Sequence, residues 1–89
     1  MKFMVEGGSS QALTDEMMAL LPAESARGRE LDAEGRRTAF YLSVDMSKTW
    51  QVFSAATQEE VQQALESFPL YQYATFTITP LADDQQAST

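Results

Sequence analysis

The sequence contains no cysteine and no histidine. Without cysteine there is no disulfide to staple the fold and no thiolate nucleophile. Without histidine there is no Ser–His pair, and no imidazole to hold zinc or haem iron. Cationic side chains are scarce as well: thirteen acidic residues face six basic ones, for a formal charge of −7. Phosphate contacts need a basic face, so nucleic acid is not an expected partner, and no polybasic patch is present to hold an anionic membrane. No apolar run approaches the roughly 20 residues of a membrane span. Met1-Lys2 is not followed by an apolar stretch with a small-residue cleavage site. Cytoplasmic location is the expectation, and the lack of cysteine suits a reducing compartment. The Gly7-Gly8 pair does not have the spacing of a phosphate-binding loop.

What is present makes one domain. Eighty-nine residues bury only about 60% of their unfolded surface, so self-association is the expected way to add core. Residues 1–82 carry the patterned segments; 83–89 form a polar tail with no apolar anchor and are expected to be flexible.

Period-two alternation predicts a first strand over Lys2–Glu6, with Phe3 and Val5 on one face and Met4 and Glu6 on the other. Thr14 is placed to cap a helix that opens with Asp15 and Glu16 and runs to about Glu34, with a kink or restart at Pro22. Met17, Leu20, Leu21, Glu24, Gly28 and Leu31 share its inner stripe, where Glu24 is the anomaly. Gly35 is the stop. Thr38–Asp45 reads as the second strand, with Phe40, Leu42 and Val44 on one face and Ala39, Tyr41 and Ser43 on the other. The third, Thr49–Ala55, sets Trp50 and Val52 opposite Gln51 and Phe53. Thr57-Gln58-Glu59-Glu60 is a capping box opening a second helix with Val61, Ala64 and Leu65 inward. After Phe68-Pro69, residues Leu70–Thr79 read as the last strand.

This order is strand, helix, strand, strand, helix, strand. It predicts an α+β, ferredoxin-like βαββαβ fold: a four-stranded antiparallel sheet with both helices on one face. The other face would then expose Tyr41, Tyr71 and Tyr73, a patch that calls for a second copy of the chain, as a dimer or larger ring.

Glu66-Ser67-Phe68-Pro69-Leu70-Tyr71-Gln72-Tyr73, leading to Pro80-Leu81, resembles the "LPLFPYM" signature of the muconolactone Δ-isomerase family, with Gln72 where the signature has proline. Met1-Lys2-Phe3-Met4-Val5, Leu20-Leu21-Pro22-Ala23-Glu24-Ser25-Ala26-Arg27 and Trp50-Gln51-Val52-Phe53 resemble the shorter members, so that the likeness covers roughly 1–82. The resemblance implies a dimeric α/β barrel with a pocket between helices and sheet. It also implies proton transfer in an unsaturated lactone, without metal or organic cofactor.

With imidazole and thiol absent, carboxylate, tyrosine, lysine and water remain for proton work. Glu24 is the leading acid/base candidate, since partial burial would raise its pKa; an ion pair with Arg27 is the alternative. Glu6 is the second carboxylate candidate, and Tyr41 is a hydroxyl able to polarise a carbonyl. Substrate contacts are expected from Arg27, Arg37, Trp50, Phe68, Tyr71 and Tyr73. Arg36 and Arg37, in alternating phase, should point to opposite faces. Two functions fit: a cofactor-free isomerase or cyclase acting by proton transfer, or a non-catalytic oligomer that holds a small molecule. A haem-degrading oxygenase on this fold is disfavoured for want of a histidine ligand. Glu24 separates the first two: a raised pKa favours catalysis, an ordinary pKa with an Arg27 contact favours binding.

Overall fold

The computed structural model describes residues 1–9 and 13–82. The tail at 83–89 lies outside the described residues. The chain runs β1 (Lys2–Gly8), α1 (Asp15–Ala33), β2 (Arg37–Leu42), β3 (Lys48–Ser54), α2 (Gln58–Glu66), a short 3₁₀ turn (Tyr71–Tyr73) and β4 (Thr75–Pro80). The four strands form one antiparallel sheet in the order β2-β3-β1-β4. This is the ferredoxin-like arrangement, with both helices on one face.

The local signals explain most of the boundaries. The Thr14 hydroxyl accepts from the Met17 amide at 3.2 Å and opens α1. The same helix ends in a Schellman motif: the Arg36 amide donates to the Leu31 carbonyl at 3.0 Å and the Gly35 amide to the Asp32 carbonyl at 3.1 Å. Gly35 has φ of 74°, and a Cβ there would meet no other atom. Its requirement for glycine is therefore conformational. Gly35→Ala is expected to cost about 1–2 kcal/mol by backbone strain alone, read as a lower urea midpoint with unchanged slope. In α2 the Thr57 hydroxyl accepts from the Glu60 amide, and Glu60 reaches back to the Ala56 amide, one residue beyond the reciprocal partner. Pro22 lies inside α1, which continues through it to Ala33.

Register decides the faces. Phe3 lies opposite Phe53 and Val5 opposite Gln51, on the helix side; Met4 lies opposite Val52 and Glu6 opposite Trp50, on the open side. Phe3, Val5, Leu31, Phe53, Val61, Ala64, Leu65 and Phe68 make the core. It is concentrated beneath α2 and the C-terminal half of α1. Toward the start of α1 only Met17 is buried, while Leu21 and Glu24 are half-buried. The helix thus stands over a hollow rather than a packed layer.

Three expectations about the strands need correction. The second strand stops at Leu42, leaving Val44 fully exposed in the turn. There the Asp45 carboxylate accepts from both the Ser47 amide and hydroxyl and from the Ser43 hydroxyl, so local side-chain bonds replace the ladder. These bonds hold the exposed Asp45 pKa down, to about 2. The last strand begins at Thr75, not Leu70, because Tyr71–Tyr73 coil into the 3₁₀ turn. Tyr71 and Tyr73 therefore do not stand on the open sheet face. Finally, a register shift between Arg37 and Ala39 interrupts the alternation of β2: Arg37 pairs with Phe53 and Ala39 with Val52. The bulge turns Arg37 to the helix side, where strict alternation with Ala39 and Tyr41 would have placed it opposite.

Candidate functional site

The hollow between α1 and the sheet is a cavity of about 570 Å³, within the size range of small-molecule sites. Its walls are largely apolar. Met17 and Leu21 come from α1, Phe40 and Leu42 from β2, and Phe68, Leu70 and Phe76 from the far side. Set into them are Glu24, Arg37, Gln51 and Tyr73.

Glu24 enters on the inner stripe of α1. One of its carboxylate oxygens accepts from the Leu70 amide at 2.9 Å, tying the helix to the segment after α2. Burial raises its pKa above the ordinary glutamate value, opposed by the Leu70 hydrogen bond and by the charge of Arg37. Arg27 does not hold it. That guanidinium points outward, to Glu30 at 3.2 Å and to the Ser67 hydroxyl at 2.8 Å.

Arg37 is the best-anchored cation of the site, with its side chain only 10% exposed. Its Nε and Nη2 donate to the two Asp32 carboxylate oxygens at 2.7 and 3.1 Å, and Nη1 donates to the Gln51 Oε1 at 3.1 Å. The guanidinium lies over the Phe40 ring, 4.6 Å from its centre. Asp32 is held below its ordinary pKa, chiefly by the Arg37 hydrogen bonds. Gly28 makes room for this arrangement: a Cβ there would sit 2.6 Å from the Arg37 Nη2. The space left by the missing side chain is filled by the guanidinium.

The remaining candidates divide by location. Phe68 and Tyr73 line the cavity with Glu24 and Arg37, and the Tyr73 hydroxyl reaches toward Glu16 at 3.4 Å. Tyr71 stacks on Phe76 and bonds to Gln62, outside the cavity lining. Glu6 and Trp50 are neighbours across strands on the open face, with Tyr41 next in the row. The sheet separates these three from Glu24. Met17, expected on the inner stripe of α1, lines the cavity, as do Gln51 and Leu70, which sequence reasoning had not picked out as site residues. For Gln51 the available signal was a polar residue in phase with Phe53 on a central strand. Among the described residues no cluster of three or more acidic side chains is positioned to hold a metal ion. No helix among them is long and apolar enough to cross a membrane.

A ferredoxin-like sheet roofed by helices, with an acid and a guanidinium set in apolar walls, defines a small α+β protein built around a small-molecule cavity. The muconolactone delta-isomerase family pattern matches residues 1–87, and the chain belongs to that family. The family is one of enzymes that convert small molecules. Among solved structures, the chain is similar to 5-chloro-2-hydroxyhydroquinone dehydrochlorinase from Burkholderia phenoliruptrix, determined in complex with 2,5-dihydroxybenzoquinone. That match has a TM-score of 0.79 at 13% identity and covers 97% of this chain and 98% of the other. At that identity it establishes the shared fold. No curated protein matches the sequence.

Proposed function

We propose that this protein is a cofactor-independent isomerase that moves a proton, and with it a double bond, in a small unsaturated lactone or related cyclic carbonyl compound. Ring closure or tailoring of a natural product by the same proton transfer is within this chemistry. The observation that carries the reading is Glu24: a half-buried carboxylate of raised proton affinity, facing an apolar cavity and free of Arg27. As base it takes a proton from carbon conjugated to the carbonyl; the electrons shift along the conjugated system. As acid it returns the proton at the far end, so nothing is consumed. The charge of Arg37 favours the anion formed between the two transfers. The same position of Glu24 disfavours a purely binding role, in which an ion-paired carboxylate of ordinary pKa was expected. The enzyme of the same fold found with a quinone supports a flat, conjugated ring as the kind of ligand.

The test is a proton NMR time course in D₂O with muconolactone and a panel of unsaturated lactones. Double-bond migration or deuterium uptake on at least one is expected. No exchange on any of them would overturn the reading in favour of a binding protein.

A second copy completes the molecule in this proposal. Tyr41 is 66% exposed and stands in one row with Trp50 on the open sheet face, beside Val52. Tyr41→Glu is expected to shift sedimentation from dimer, or larger ring, to monomer; an unchanged assembly would show that another surface mediates it.

A further inference from the structure

Gln51 is a polar side chain in a place where polar side chains are costly. It occupies the middle of β3, an interior strand, opposite Val5 on one side and Phe40 on the other. It is 5% exposed and is the one buried polar residue among the described residues. Such a group must be hydrogen-bonded or it destabilises the fold.

Half of its amide is accounted for. Oε1 accepts from the Arg37 Nη1 at 3.1 Å. A guanidinium only donates, so it dictates which end of the amide faces it. The Nε2 end must therefore point away from Arg37. Nε2 has no protein partner among the described residues, yet no polar atom there is both sealed off and unsatisfied. Gln51 lines the cavity, so these two N–H donors are left for a molecule held there. Arg37 is itself fixed by Asp32, Phe40 and the gap at Gly28, so the donor is held in position before any ligand arrives.

We infer that the Gln51 side-chain amide receives the carbonyl oxygen of the ligand, and that the site selects conjugated cyclic carbonyl compounds through this contact. The inference rests on the proton-transfer reading of the same cavity and adds its oxygen-binding group. When Glu24 removes a proton, the conjugated carbonyl oxygen gains negative charge. A fixed N–H donor strengthens its bond to that oxygen as the charge develops. The donor belongs to the central strand and the base to the helix above it, so carbonyl and acidic C–H are addressed from different walls.

The experiment uses the side-chain amide signals of Gln51 in the full-length protein. Muconolactone is titrated in parallel with tetrahydrofuran acetic acid, which keeps a ring and a carboxylate but lacks the carbonyl. The expected result is a downfield movement of the Gln51 amide protons with muconolactone and none with the analogue. Gln51→Glu keeps the acceptor for Arg37 and removes the donors. Because the added charge acts on the carboxylate of both ligands, the readout is the difference: muconolactone should weaken about tenfold or more beyond any loss of the analogue, the worth of one hydrogen bond. Amide signals that stay still with bound muconolactone, absence of muconolactone binding, or equal loss of both ligands in Gln51→Glu would each overturn the inference. Glu24→Gln separates this from the proton-transfer reading: it should keep the Gln51 shift while losing exchange. Exchange that survives Glu24→Gln would sink the base assignment, and the amide shift would still decide the role of Gln51.

Discussion

Replacing Glu24 with glutamine should lower proton exchange by about 10²–10⁴-fold, the usual contribution of a positioned general base, while the protein remains folded. The substitution is close to isosteric. The glutamine oxygen can still accept from the Leu70 amide, so the tie at 2.9 Å between α1 and the segment after α2 is preserved. What disappears is the capacity to take a proton. The stability of the variant is informative in its own right. The folded-state pKa of Glu24 is raised, so folding favours the protonated form. Its contribution is fully present below the ordinary glutamate value and is lost as pH rises through the raised folded value. Above that window the wild type bears the cost of a half-buried charge, and the glutamine variant does not. Melting curves should accordingly show Glu24→Gln at least as stable as wild type at neutral pH, with the advantage vanishing in acid. The acid limb of kcat/KM in the wild type should lie above the usual glutamate range, since the base works only when ionised. Turnover that survives the substitution, or a limb at the ordinary value, would remove Glu24 from the mechanism.

Arg37→Met should destabilise the fold by about 2 kcal/mol, and should also move the acid limb to higher pH. The structural loss is specific. Two charge-assisted bonds to Asp32 vanish, the Gln51 Oε1 loses its donor in a buried position, and the cation leaves the Phe40 ring. An unpaired buried acceptor alone costs about 1–3 kcal/mol. Asp32 adds little, because its side chain is 48% exposed and returns to water. For a domain of this size 2 kcal/mol is a fall of roughly 10 °C in Tm. The change in pH profile has a separate cause: Arg37 lowers the proton affinity of Glu24, and without it the carboxyl holds its proton to higher pH. Arg37→Lys separates the two effects. A lysine retains the charge but not the two-pronged contact, so it should restore the limb while leaving much of the stability loss. A limb that ignores both variants would show that Arg37 does not act on Glu24.

Much of the fold was legible because its signals are local. Thr14 and Thr57 cap helices through hydroxyls a few atoms from the amides they accept from, and Gly35 ends α1 because the chain needs a left-handed residue there. Such signals work over three or four residues, within reach of a reading along the chain. The stripe of α1 was legible for the same reason, and it exposed Glu24 as the acid among apolar neighbours. The last strand was misread at its start. Tyr71 and Tyr73 flank Gln72 and fall in phase with Thr75 and Thr77, as residues of one strand would. Yet the amides of Tyr71 and Tyr73 are taken by the carbonyls of Phe68 and Leu70, which winds the segment. Alternation of residue type does not reveal where the backbone bonds go.

By itself the sequence determined the order of elements, their caps, the ferredoxin-like sheet and the one carboxylate out of place on a buried stripe. Family membership was also carried by residues along the chain. Only the tertiary structure decided what surrounds that carboxylate. Counted in twos, Arg37 shares a face with Tyr41; the shift in register between Arg37 and Ala39 turns it to the helix side. Gln51 is an ordinary strand residue until Arg37 fixes one end of its amide and leaves the other for a molecule held in the cavity that Gln51 lines. Both depend on how β2 aligns with β3, and on the gap at Gly28 that receives the guanidinium. Periodicity is a property of one segment, whereas register and cavity arise from pairings between segments distant along the chain.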